Sequence, residues 1–98
     1  MTKYFILKDR KAVPVSSLEE WAKAFETDRH VAQDSVGDVR ISTVFLGINH
    51  RFGEGPPLIF ESMIFGGQHD QEQRRYSTWG EAEKGHAELL ALVRSTLQ

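Results

Sequence analysis

The chain is expected to fold as an α+β domain of two layers, an antiparallel sheet of four to five strands with two helices packed on one face. Three observations carry that expectation. Two runs dense in β-branched and aromatic residues, 39–48 and 58–65, flank a loop rich in glycine and proline that neither strand nor helix can traverse. Two segments of helical periodicity each open on a capping-box spacing, Ser17 with Glu20 and Thr78 with Glu81. Their order, strand, helix, several strands, helix, is that of segregated layers rather than of alternating βα units.

Residues 3–8 read as a first strand, although Tyr4, Phe5, Ile6 and Leu7 are too continuous to mark one buried face. A polar turn, Asp9-Arg10-Lys11, follows, and residues 12–15 return as a short segment that Pro14, lacking an N–H, confines to an edge or to irregular structure. After Ser17, the residues Leu18, Trp21, Ala22 and Phe25 fall at i, i+3, i+4 and i+7, so the Trp21 indole is expected on the sheet, with Glu19, Glu20, Lys23 and Glu26 in solvent. Gly37-Asp38 suits a two-residue primed turn between antiparallel strands. That turn pairs Val36 with Val39, Asp34 with Ile41, Ala32 with Thr43 and His30 with Phe45 on one face; Ser35 with Arg40, Gln33 with Ser42 and Val31 with Val44 lie on the other. Residues 58–65 cross back, residues 66–70 turn, and a polar strand covers roughly residues 72–76. The last helix runs from Thr78 to about Thr96 on a stripe of Ala82, His86, Leu89, Val93 and Leu97, broadened by Leu90. Gly80 and Gly85 weaken its early turns by up to ~1 kcal/mol each, so it depends on tertiary contact.

With 98 residues, 40% hydrophobic and 27% charged, the chain supports one globular domain, 1–98. A formal net charge of -2 provides no basic field for nucleic acid or an anionic membrane. The absence of cysteine removes disulfides, thiolate metal sites and cysteine nucleophiles, and fits a reducing compartment. The apolar run at the amino terminus is too short for a signal or membrane-spanning segment, so a cytoplasmic protein is expected.

Four histidines and several carboxylates invite a metal or acid-base reading centred on His50, Glu61, His69 and Asp70. Strand geometry opposes it. His50 precedes the return strand while His69 and Asp70 follow it, which separates them by about 25 Å. Glu61 is expected at a solvent edge or paired with Arg40 or Arg51, and His86, alone on an apolar stripe, as a core histidine with one hydrogen bond. Arg74 and Arg75 beside Tyr76 and Trp79 mix basic and aromatic groups, but Glu72, Glu81 and Glu83 surround them, so a solvated strand edge is expected instead of a single-strand nucleic-acid surface. Gly53-Glu54-Gly55 precedes Pro-Pro, not a helix, and is no nucleotide fingerprint. Neither a cofactor nor a metal is expected.

The segments PVSSLEEWAKAFE, VGDVRISTVFLGINHRFGEGPPLIFESMIFGG and RYSTWGEAEKGH together resemble a group of small uncharacterised proteins encoded by bacteriophages and prophages. The resemblance implies a phage or prophage setting and transfers no activity and no catalytic residue.

The segment left to carry function is the loop 49–57, longer than a hairpin needs. Asn49, His50, Arg51, Phe52 and Glu54 are the candidate binding residues, and Phe52 either closes the end of the sheet or anchors recognition. The leading expectation is a non-enzymatic interaction module for a host or phage macromolecule. The alternative is a small hydrolytic or metal-assisted enzyme using His50 with Glu54 or another subunit's carboxylate. Apolar groups on both sides of the central strands also suggest a homodimer through the second sheet face, on Leu46, Ile48, Ile59, Met63 and Phe65.

Overall fold

The computed structural model describes residues 3–96. Its elements are β1 (Tyr4–Lys8), β2 (Lys11–Val15), α1 (Leu18–Ala24), β3 (His30–Val36), β4 (Val39–Phe45), β5 (Phe60–Phe65), β6 (Gln73–Tyr76) and α2 (Trp79–Thr96). β3, β4, β5 and β6 form an antiparallel meander in that spatial order, and β1 and β2 form a separate hairpin. The α+β class and the central antiparallel sheet are as expected.

The hairpin turns at Asp9 and Arg10, both at positive φ (52° and 66°), and pairs Lys8 with Lys11 and Phe5 with Pro14. A two-residue turn makes Lys8/Lys11 and every second pair beyond it the hydrogen-bonded ones, so the nitrogen of Pro14 points away from β1 and nothing is lost there. The free side of β1 meets the chain beyond β4: Phe5 N–H donates to the Gly47 carbonyl at 2.8 Å, and Asn49 N–H to the Lys3 carbonyl at 3.0 Å. The hairpin thus extends the meander where β3 has left it.

Across Gly37-Asp38 the pairing is Val36/Val39, Ser35/Arg40, Asp34/Ile41, Gln33/Ser42 and Ala32/Thr43, as the turn chemistry requires. A bulge at Val31 then shifts the register, so His30 faces Val44 instead of Phe45, and Val31 joins the apolar cluster around Phe45 and Phe60. Val39, Ile41, Thr43 and Phe45 alternate into the core from β4, and Phe60, Ser62 and Ile64 from β5. Ala82, Gly85, His86, Leu89 and Val93 of α2 cover them. Each fully buried Leu, Ile or Phe contributes about 1.5–3 kcal/mol. Leu97, placed on this stripe from the sequence, lies outside the described residues.

Both N-caps form, and the second completes its capping box. Ser17 Oγ accepts from Glu20 N–H at 3.2 Å; Thr78 Oγ1 accepts from Glu81 N–H at 3.1 Å, while Glu81 Oε1 accepts from Thr78 N–H at 3.1 Å. The helices then diverge from the expected layering. α1 has no buried residue, leaves Leu18 exposed, and rests on β1 and β2 instead of lying beside α2 on the meander. Trp21 stacks on Tyr4 and Phe25, at centroid distances of 5.2 and 4.1 Å, and donates its indole N–H to the Gly47 carbonyl at 3.0 Å. Gly47, at φ 77°, is required here, because a Cβ would lie 2.4 Å from the Phe25 ring. Tyr4 and Phe5 point to opposite faces of β1, so α1 covers one face while Phe5 joins the cluster containing Ala82 of α2 on the other. In α2 itself, Gly85 makes room for the Tyr76 ring, which occupies the space a side chain would fill. Among the described residues, no helix is long and apolar enough to cross a membrane.

Candidate functional site

The loop 49–57 is built around the Asn49 side chain. Its Oδ1 accepts from the N–H groups of Arg51 (2.9 Å) and Leu58 (3.0 Å), which ties the two arms together, and His50 N–H donates to the Leu58 carbonyl at 2.9 Å. Arg51 crosses the loop as a strut, its Nε donating to the Pro56 carbonyl at 2.5 Å. Gly55, at φ 128°, lets that guanidinium lie against the backbone: a Cβ would come within 3.1 Å of it. Of the five candidate binding residues, Asn49 and Arg51 therefore hold the loop, whereas His50, Phe52 and Glu54 face solvent. Phe52 is 102% exposed, so it does not close the end of the sheet.

Beside the loop, a cleft of about 430 Å³ lies between Arg51, Leu58 and Tyr76 on one side and Lys84, Gly85 and Glu88 on the other. Its charges are largely engaged already. Glu81 accepts from the N–H groups of Ser77 and Thr78, Glu88 meets Arg74 at 3.6 Å, and Arg75 reaches Glu61 at 3.0 Å. Gln73 also donates to Glu61, so that carboxylate is paired with β6 and not with Arg40 or Arg51.

The other acid-base candidates serve the fold. Asp70 accepts from Gly66 N–H at 2.6 Å within the β5–β6 turn, and His69 Nε2 meets Thr96 Oγ1 at 2.9 Å. Asp28 accepts from His30 N–H at 3.0 Å and meets its ring at 2.9 Å; these hydrogen bonds, helped by the ring's charge when protonated, hold the Asp28 carboxyl below its ordinary value. Among the described residues, no three His, Asp or Glu side chains converge as metal ligands would.

The residues proposed for self-association separate. Ile59, only 1% exposed, belongs to the core cluster with Phe5 and Phe60 and is removed from that set. Its backbone explains the difference: just before β5 it is bound on both sides, to Leu46 N–H and the Tyr76 carbonyl, beneath the incoming hairpin. Leu46, Ile48 and Met63 are half-buried, and Phe65 is exposed with the Arg40 guanidinium 4.5 Å from its ring centroid.

The most organised chemistry lies elsewhere, under α2. His86 contacts Asp34 Oδ2 through Nε2 at 2.7 Å and Thr43 Oγ1 through Nδ1 at 2.6 Å, and Thr43 Oγ1 contacts Ser62 Oγ at 2.5 Å. His86 thus has two partners instead of the expected one. A carboxylate only accepts, so Asp34 takes the Nε2 hydrogen; with a neutral ring, Nδ1 then accepts from Thr43, and Thr43 accepts from Ser62. This direction uses every hydrogen in the chain. The order carboxylate, imidazole, hydroxyl resembles a nucleophilic triad. Yet Thr43 and Ser62 are 0% exposed, and no substrate carbonyl can reach either hydroxyl. The chain satisfies buried polar groups and holds β3, β4, β5 and α2 in register.

No protein-family model, curated protein or solved structure matches the chain.

Proposed function

We propose that this protein is a non-enzymatic interaction module that binds a host or phage macromolecule through the loop 49–57. Its setting is the cytoplasm of a bacterium carrying a phage or prophage, in keeping with the resemblance drawn from the sequence. One observation carries the reading: Phe52 stands wholly in solvent on a loop whose arms are tied by Asn49 and Arg51. An aromatic left in water contributes little to folding, but it gains much when a partner covers it. A loop already fixed by hydrogen bonds loses little further entropy on binding. His50 and Glu54 flank this anchor as the polar rim.

The test uses immobilised protein and extract from a bacterial host. Wild type should retain a distinct set of proteins that Phe52→Ser loses by at least about tenfold, while His30→Ala, which alters an exposed residue on β3, retains the set. Equal retention by wild type and Phe52→Ser would refute the reading.

A further inference from the structure

On the other side of the Pro56-Pro57 arm, a second cleft of about 340 Å³ opens between the β1–β2 hairpin and the start of α2. Phe5, Ile59 and Trp79 form an apolar floor, and Arg10 and Lys11 stand at its rim. Unlike the first cleft, it has no acidic side chain in its lining. Arg10 is held in place: it stands in the primed turn at φ 66°, with its guanidinium 5.4 Å from the centroid of the Trp79 ring. Stacking on a ring face leaves the N–H donors at the guanidinium edge available. Among the described residues, neither Arg10 nor Lys11 makes a salt bridge, and the buried indole N–H of Trp79 has no acceptor.

We propose that this cleft binds a small hydrophobic monocarboxylate, with its apolar body against Phe5, Ile59 and Trp79 and its carboxylate at Arg10 and Lys11. The volume falls within the range of small-ligand sites, and a mainly apolar wall with a few convergent polar groups is the usual composition of such sites. The charge pattern selects the head group: two cations with no carboxylate in the lining favour an anion, and the apolar floor favours a single charge on an apolar body over a phosphate. The N–H groups of Ser77 and Thr78, which line the cleft, are already taken by Glu81. Of the loop, only Pro57 lines this cleft, so Phe52→Ser leaves it intact.

Titration of the full chain with octanoate, octanol and octylammonium, followed by amide and indole nuclear magnetic resonance, separates body from head group. Octanoate should bind saturably, shift the signals of Arg10, Lys11 and the Trp79 indole, and bind at least about tenfold more tightly than octylammonium. Arg10→Gln and Lys11→Glu, both at exposed side chains, should each weaken octanoate severalfold and leave octanol unchanged. Absence of saturable octanoate binding, equal affinity for the three head groups, or shifts centred on Arg51 and Lys84 would each overturn the proposal.

Discussion

The polar chain beneath α2 and the loop 49–57 divide the molecule's polar residues between two tasks. Asp34, His86, Thr43 and Ser62 have the makings of a reaction centre, but only Asp34 reaches solvent; His86 is buried and both hydroxyls are fully so. The loop is open to solvent, yet its most ordered polar side chains, Asn49 and Arg51, are spent on its own shape. The difference teaches that reactive residue types do not by themselves mark function: the buried set serves folding, and what the surface offers is a fixed aromatic. That division supports the proposed recognition role.

The largest losses are expected on the buried side. His86→Ala removes side-chain volume from under α2 and leaves the Thr43–Ser62 pair without its acceptor, so a loss of about 3–5 kcal/mol is expected in denaturant melts. Thr43→Val interrupts the same chain at the next link and should cost about 1–3 kcal/mol. Because both changes act on one network, the double variant should lose less than the sum of the single losses. Additive losses would mean that the hydrogen bonds do not work as a unit. On the loop side, Asn49→Ala deletes the acceptor for two backbone N–H groups and should cost about 1–2 kcal/mol, with faster amide exchange at Arg51 and Leu58.

Much of the fold was legible because its signals are local. Ser17 and Thr78 with their glutamates start both helices, and the Gly37-Asp38 turn sets the β3–β4 register as far as Ala32. The bulge at Val31 was not legible, since nothing in the alternation of 30–36 marks the residue that slips. Nor was the seat of α1: a stripe says that a helix has an apolar face but not which surface it meets, and seven residues bury little. The polar chain left a signal that was readable in part. Asp34 and Thr43 share the inward face of the pairing and His86 interrupts an apolar stripe, but joining them requires the placement of α2 on the sheet. The orientation of Phe52 had no signal, because an irregular loop has no period from which to tell inside from outside.

The central claim is that the exposed part of the loop works in recognition and not in folding. Denaturant melts of wild type and Phe52→Ser, run beside capture of bound proteins by the same two samples, test it directly. The melts should agree within about 0.5 kcal/mol, and the captured set should be lost with the aromatic ring. A Phe52→Ser protein that is clearly destabilised, or one that stays as stable as wild type and captures the same set, would contradict it.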